Sequence, residues 1–234
     1  SRESRVPKLD PHTRAVEEIP DSIKPYIFHG LELSFRSTDK EATGECPFCG
    51  SEKFSVDIST GKWRCFVCNE GEDHGEAIKG GNATVFIRKL WEMSDKETKE
   101  YAELSEDRGL LYPETLVDWN ICKSLITDNW LIPGWSWSDG DKQARMTQLY
   151  QYMRNKNRMV LFPTSELGAK LFGLNLFDPK KHNVFICESV WDALAWSEVL
   201  KLCKRDGSGK LIPTSNVGKS LWAESNVIAT PGCN

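Results

Sequence analysis

The stretch Cys46-Pro47-Phe48-Cys49, followed after fifteen residues by Cys65-Phe66-Val67-Cys68, is the most informative part of this 234-residue sequence. Two Cys-x2-Cys pairs at this separation have the ligand spacing of a four-cysteine zinc ribbon, in which two tight turns present four thiolates to one tetrahedral ion. Alternation of apolar and polar residues on either side of Ser59-Thr60-Gly61 predicts a hairpin between the pairs. Because four thiolates leave no open coordination position, the spacing predicts one structural Zn²⁺ held by Cys46, Cys49, Cys65 and Cys68.

Two alternatives to this zinc site remain open in the sequence. The cysteines could be a redox pair or unrelated thiols, and His74 could replace one of the ligands. The other four cysteines are scattered, at positions 122, 187, 203 and 233, and do not resemble a secreted disulfide framework. The cysteine pattern therefore favours a reducing compartment.

Aromatic and basic residues alternate around the second cysteine pair. Trp63, Arg64 and Phe66 could stack on and pair with single-stranded bases. Equally, Trp63 and Phe66 could cover the metal site while Arg64 points into solvent. Trp63 and Arg64 are therefore candidate nucleic-acid-binding residues with a structural alternative.

Composition limits the class of protein. Hydrophobic residues make up 39% and charged residues 27% of the chain, which is typical of a soluble globular protein. The sequence contains no run of 18 apolar residues, and residues 1–20 lack an apolar signal-peptide core, so we expect neither a membrane span nor secretion. The net charge of −4 excludes a uniformly basic nucleic-acid-binding chain. However, residues 92–118 hold nine acidic and three basic residues, whereas 142–170 hold six basic and one acidic, which suggests two surfaces or a domain boundary.

The C-terminal third reads as a parallel α/β unit. A strand over Val184–Cys187, a helix over Val190–Leu202 and a strand ending at Val227-Ile228-Ala229 give this order. Glu188 directly follows the first strand and Asp192 lies one helical turn later, so both carboxylates can face one crevice at the carboxyl end of the sheet. They could bind Mg²⁺ or serve phosphoryl transfer, although they could also simply cap the helix.

Four stretches, taken in order, resemble the toprim-type DNA primases, a bacterial and phage family of primer-synthesising RNA polymerases. The phage primase-helicase branch is the most similar, because all four predicted zinc ligands are cysteines. The first stretch is the ribbon, with Gly81-Asn82-Ala83 after it, and the second is Tyr101-x6-Arg108-Gly109-Leu110 with Glu114-Thr115-Leu116. The third is Asn157 to Pro163 with Lys170-Leu171-Phe172-Gly173. The fourth is Val184 to Leu194 with Val227 to Gly232.

The resemblance implies site residues and a function. It makes Glu188 the first catalytic acid of the toprim site and Asp192 its supporting carboxylate, with Mg²⁺ as the catalytic cofactor. It makes Arg108, Arg158 and Lys170 candidates for holding the template, the primer or ribonucleoside triphosphates. The implied activity is that of a DNA-directed RNA polymerase, a nucleotidyltransferase that makes RNA primers on single-stranded DNA during replication. A replicative helicase, fused or separate, is an implied primosome partner, and the implied location is the cytoplasm of a bacterial or phage-infected cell.

The chain also departs from the family. Ser189 stands where glycine usually follows the catalytic glutamate, and residues 126–157, with Trp130, Trp135 and Trp137, match no family motif. No Asp-x-Asp pair occurs after Glu188, and Asp206 is a poor substitute. Two-metal chemistry needs several carboxylates, so we expect this chain to be an incomplete portion that is inactive alone.

The expected fold class is α+β or α/β: a small zinc ribbon followed by a C-terminally incomplete toprim-type polymerase domain. The expected segments are an N-terminal extension (1–43), the ribbon with its following helix (44–93), a linker or helix (94–107), an N-terminal polymerase subdomain (108–181) and the start of the toprim subdomain (182–234). The main alternative is a non-catalytic zinc-ribbon module that binds nucleic acid and docks a helicase. Another toprim enzyme, such as a topoisomerase or nuclease, is a further alternative.

Overall fold

A computed structural model describes most of the chain, in two compact units. The described residues are 19–35, 38–68, 80–94, 100–137, 143–161, 170–205, 211–213 and 221–231. Unit 1 comprises residues 1–94 with 124–129, and unit 2 comprises 95–123 with 130–234. His74, Asp206, Gly232 and residues 162–163 of the stretch ending at Pro163 lie outside the described residues.

Unit 1 contains a four-stranded antiparallel sheet in the order β1-β2-β3-β4. Its strands are β1 (Glu41–Gly44), β2 (Phe54–Asp57), β3 (Trp63–Cys65) and β4 (Gly80–Gly81). The predicted hairpin between the cysteine pairs is confirmed, because β2 pairs with β3 through Phe54 and Cys65. The Asp57 carboxylate closes its turn by accepting hydrogen bonds from the backbone N–H groups of Ser59 and Thr60, at 2.9 and 2.7 Å.

Two helices complete unit 1, α1 (Lys24–Phe28) and α2 (Ala83–Met93). Asn82 caps α2, since its Oδ1 accepts a hydrogen bond from the Val85 N–H at 3.0 Å. Phe86 on α2 and Tyr26 on α1 are both fully buried, with ring centroids 4.9 Å apart. Residues 19–35 and 38–43 therefore contribute core side chains and most of strand β1 to unit 1.

Unit 2 begins with two helices and a second antiparallel sheet. The helices are α3 (Glu100–Asp107) and α4 (Glu114–Asp118), and the strands are β5 (Cys122–Lys123), β6 (Trp130–Ser136), β7 (Arg145–Met153) and β8 (Arg158–Val160). The part of 94–107 that is described is thus a helix, which buries Tyr101 and Leu104. Of the three tryptophans that match no family motif, Trp130 and Trp135 are buried on β6, whereas Trp137 is 41% exposed.

The remainder of unit 2 contains the predicted parallel unit. Strands β9 (Asn183–Cys187) and β12 (Ser225–Ala229) pair in parallel, and α5 (Val190–Leu202) follows β9. Between them, β10 (Cys203–Arg205) pairs with β11 (Leu211–Pro213). Leu171 bridges to Trp135 of β6 and Phe172 bridges to Ala229 of β12, so this short segment joins the two larger sheets of unit 2. Among the residues described, no helix has the length and apolar character needed to cross a membrane.

Candidate functional site

The four cysteines of unit 1 form one cluster. Their sulfur atoms all lie within 4.8 Å of one another. Two of the separations are 3.8 Å between Cys46 and Cys68 and 3.6 Å between Cys49 and Cys65. Tetrahedral Zn–S bonds of about 2.3 Å place sulfurs about 3.8 Å apart, so the cluster has the size and ligand chemistry for one structural zinc ion.

The pairing of the sulfurs bears on the redox alternative. The contacts between Cys46 and Cys68 and between Cys49 and Cys65 both join the two Cys-x2-Cys motifs, and all four sulfurs lie within 4.8 Å of one another, so they form one set and not two separate dithiols. Burial raises the pKa of Cys68 to about 11 and also raises the pKa of Cys46, whereas at Cys65 burial is outweighed by hydrogen bonds from the Cys68 N–H and the neighbouring thiols, which lower the pKa. A thiolate set in such a site needs a neighbouring cation, and a bound Zn²⁺ supplies that charge.

The aromatic and basic residues around Cys65 divide between core and surface. Trp63 is only 2% exposed, and its ring lies 5.6 Å from Phe54 and 6.0 Å from Phe86. The prediction that Trp63 stacks on bases is therefore wrong. Side chains of β3 point alternately to the two sides of the sheet, and Trp63 lies on the side that faces the core of unit 1.

Arg64 lies on the outward side of β3. Its side chain is 51% exposed, its Nε donates to Ser55 Oγ at 3.2 Å, and it forms an ion pair with Glu41. Its guanidinium lies 4.6 Å from the ring centroid of Phe66, which is 46% exposed. Arg64 and Phe66 thus place one guanidinium, paired with Glu41, and one aromatic ring at the surface of unit 1.

The two predicted catalytic carboxylates lie at the carboxyl end of β9, and both are exposed. The Thr230 N–H donates to the carbonyl of Cys187 at 3.0 Å, and its hydroxyl donates to the carbonyl of Glu188 at 3.3 Å. The carboxyl ends of β9 and β12 therefore meet beside Glu188. Ser189 caps α5, because its Oγ accepts from the Asp192 N–H at 3.2 Å and donates to the Asp192 carboxylate at 2.7 Å.

The three predicted phosphate-binding cations lie on different segments of unit 2. Arg158 is exposed at the start of β8, opposite Met153. Lys170 is half-buried beside Gly134 of β6, at the segment that bridges the two sheets. Arg108 follows α3 and is half-buried, with its guanidinium 4.3 Å from the ring centroids of both Tyr152 and Trp191.

Two features of this region were missed by the sequence analysis. One is the aromatic pair around Arg108, which is formed by residues far apart in sequence. The other is Glu198, which is 3% exposed although it is acidic. Glu198 lies four residues after the buried Leu194 on α5, and an acidic residue at a buried helical position is a signal that could have identified it.

An open cavity lies in unit 1 beside the first cysteine pair. Its volume is about 500 Å³, and its lining includes Leu31, Pro47 and two acidic residues, Glu32 and Glu45. Two carboxylates repel phosphate, so this cavity does not have the chemistry of a nucleic-acid backbone site.

Comparison with known proteins gives distant structural similarity and no sequence match. The chain matches no protein-family model and no curated protein. Among solved structures it is similar to the crystal structure of the Aquifex aeolicus primase, comprising zinc binding and RNA polymerase domains. The identity is 14%, the match covers 94% of this chain and 67% of that chain, and the TM-score is 0.35. A TM-score at this level carries no weight for function, so the proposal below rests on the residues themselves.

Proposed function

We propose that this chain is part of a toprim-type DNA primase, which synthesises RNA primers on single-stranded DNA. The observation that carries the proposal is the position of Glu188, an exposed carboxylate directly after β9 where two parallel strands end together. Open α/β sheets bind their ligands at this edge. The resemblance of residues 184–194 to the first toprim motif gives that carboxylate its role.

Each unit contributes a separate task in this proposal. In unit 1, Cys46, Cys49, Cys65 and Cys68 hold a structural Zn²⁺ that fixes the sheet, and the outward Arg64 and Phe66 contact the template. In unit 2, Glu188, with Asp192 beside it, holds Mg²⁺, which supplies positive charge for phosphoryl transfer when bound. The primer 3′-hydroxyl attacks the α-phosphate of a ribonucleoside triphosphate, and pyrophosphate leaves.

The basic residues of unit 2 orient the nucleic acid in this mechanism. Arg158 is exposed on β8, and its fork of N–H donors suits a phosphate. Lys170 presents a point charge from the segment that joins the two sheets. We assign both residues to the phosphates of the template, the primer or the triphosphate, and a replicative helicase is the expected partner.

One observation favours a second candidate function. The Asp192 carboxylate is bonded to Ser189, which caps α5, so Asp192 has a structural task that needs no metal. This contact supports the non-catalytic alternative, in which unit 2 is a scaffold and unit 1 binds nucleic acid. The two candidates differ in whether the protein synthesises primers at all, and the primase needs Glu188 to do so.

The deciding experiment is Mg²⁺-dependent incorporation of labelled ribonucleotides on single-stranded DNA. It compares this chain, the longest form that its gene encodes, and that form with Glu188→Gln. Glu106→Gln, at an exposed carboxylate on α3, is the matched control. Synthesis by the long form and by its E106Q variant, together with loss of synthesis in its E188Q variant, supports the primase. Single-strand binding without synthesis by any form supports the alternative. Full synthesis by E188Q would show that the catalytic assignment is wrong.

A further inference from the structure

Arg108 is enclosed by side chains from three separate elements of unit 2. Its guanidinium carbon lies 4.3 Å from the ring centroid of Tyr152 on β7 and 4.3 Å from that of Trp191 on α5. Those two rings lie 5.0 Å apart at 68° to one another. One terminal nitrogen, Nη2, donates to the Asn157 carbonyl oxygen Oδ1 at 2.5 Å, and the Tyr152 hydroxyl approaches the same oxygen at 3.3 Å. We call these four residues the Arg108 cluster.

Two aromatic rings contact this guanidinium inside unit 2, and one of its five N–H donors is hydrogen-bonded there to a third neighbour, Asn157. Nε is buried and, among the residues described, has no hydrogen-bond partner, so this nitrogen is closed to an outside ligand in this conformation. A cation–π contact with a desolvated guanidinium is among the stronger side-chain interactions, and arginine stacks on rings in a way that lysine does not.

The partners of Arg108 are neighbours of predicted site residues. Asn157, in the left-handed backbone conformation with φ of 46°, directly precedes Arg158. Trp191 lies in the first turn of α5, between the Ser189 cap and Asp192. The Arg108 cluster therefore connects the turn that presents Arg158 to the helix start that follows Glu188.

A nearby arginine differs from Arg108 in its partners. Arg154, at the start of the same β7–β8 turn, forms ion pairs with Asp107 and, at 2.7 Å, with Glu103. Acidic residues of α3 thus balance Arg154, whereas aromatic rings hold Arg108. The neighbouring Arg158 is exposed.

We propose that Arg108 is a positioning residue, which holds the Arg158 turn and the start of α5 through Tyr152, Asn157 and Trp191 and does not itself contact phosphate. This inference rests on the proposed function, because it assigns how the nucleic-acid-binding residues of unit 2 are held. It replaces the direct phosphate contact that the family resemblance implies for Arg108.

The test measures binding of a fluorescein-labelled, mixed-sequence DNA single strand to the full chain over a series of salt concentrations. Arg108→Gln, Arg108→Lys and Trp191→Leu are expected to weaken binding several-fold without changing the slope of log K against log salt. Arg158→Gln is the phosphate-contact control, and each lost phosphate contact lowers the magnitude of that slope by about 0.7 for a single strand. Trp191→Phe keeps an aromatic face and restores binding, whereas Trp196→Leu, at an exposed tryptophan elsewhere on α5, has no effect.

A second measurement tests the cluster without nucleic acid. Urea unfolding of R108Q, W191L and the double variant is expected to be non-additive, because each single change removes the same contact. Additive effects would overturn the proposal, since the contact would then be absent in solution.

The binding outcomes separate this proposal from the proposed function. If R108K binds like the wild-type chain, or R108Q lowers the salt slope as R158Q does while W191L binds normally, Arg108 is a phosphate ligand. The positioning role is then overturned and the primase proposal stands. If the wild-type chain does not bind single-stranded DNA, both proposals fall together.

Discussion

The carboxylate of Glu198 accepts a hydrogen bond from the hydroxyl of Thr115 at 2.8 Å, and so joins α5 to α4 inside unit 2. The same carboxylate accepts from the backbone N–H groups of Leu111 and Tyr112, at 2.7 and 3.1 Å. These N–H groups belong to the two residues that precede Pro113, the N-cap of α4, and lie outside the hydrogen-bond pattern of the helix itself. Glu198 therefore fixes the stretch between Arg108 and α4 against the helix that follows Glu188.

Replacing Glu198 should destabilise unit 2 strongly. Glu198→Ala leaves three donors without their acceptor in a buried site, so we expect the free energy of unfolding to fall by about 3 kcal/mol. Glu198→Gln keeps one acceptor oxygen and should cost less. Urea unfolding measures both, with the exposed Glu106→Ala on α3 as the control. Equal stability of E198A and E106A would show that these hydrogen bonds contribute nothing.

The cysteine cluster predicts one zinc ion per chain. Cys49→Ser removes one thiolate from the ligand set, so the purified variant should contain little zinc, whereas the wild-type chain contains one equivalent. Cys122→Ser is the matched control, because Cys122 is a buried cysteine in β5 of unit 2. Metal analysis by atomic absorption checks all three proteins. Zinc loss in C122S equal to that in C49S would contradict the ligand assignment.

Chelation provides an independent test of the same site. Since binding free energy at a structural zinc site is also folding free energy, removing zinc should unfold unit 1. We expect a chelator to lower the near-ultraviolet circular dichroism signal to which the Trp63 and Phe54 cluster contributes. An unchanged signal after complete zinc removal would show that unit 1 folds without the metal.

Local sequence patterns predicted several elements of this fold closely. The helix over Val190–Leu202 has the predicted bounds, and the strands on either side of it pair in parallel as predicted. The cysteine spacing likewise predicted the cluster and its hairpin. In each case the signal lies within a few residues: an apolar strand before a serine-capped helix, or paired cysteines in tight turns.

Features that depend on distant residues were not predictable in the same way. The burial of Trp63 follows from which side of β3 faces α2, and a three-residue strand gives no such information. The core role of Tyr26 depends on Phe86, which is sixty positions later in the chain. The Arg108 cluster similarly combines β7, its following turn and α5.

Protonation of His29 should make the stability of unit 1 fall in acid. His29 is 3% exposed, and burial lowers its pKa to about 3 from the ordinary 6.5. The native state therefore keeps His29 neutral while the unfolded chain takes up a proton below about pH 6.5, so stability is lost progressively as the pH falls from about 6.5 towards 3.

The measurement compares urea unfolding at about pH 7 and about pH 5.5, where the wild-type chain should lose about 1 kcal/mol more than His29→Gln. The exposed His182→Gln should behave like the wild-type chain. Zinc content is checked at both pH values, because thiolate ligands also compete with protons. An identical pH dependence in H29Q and the wild-type chain would show that His29 does not titrate between the two states.

Alanine substitutions at two glycines in the left-handed backbone region, Gly109 and Gly173, distinguish the cost of backbone strain from the cost of a steric clash. Gly109 has φ of +65°, and a Cβ there would meet no atom of the described structure within 4 Å. Gly173 has φ of +73°, and a Cβ there would lie 2.6 Å from the indole carbons of Trp119 and 3.0 Å from the carbonyl oxygen of Val227. Gly109→Ala should therefore cost about 1 kcal/mol, the strain of an L-residue in this conformation. Gly173→Ala adds a clash beside the segment that joins the two sheets, so we expect about 3 kcal/mol by urea unfolding. If both variants lose the same stability, the expected clash at position 173 is absent. Trp119 would then be free to move aside, and residues 171–173 would pack less tightly between the sheets than the structure shows.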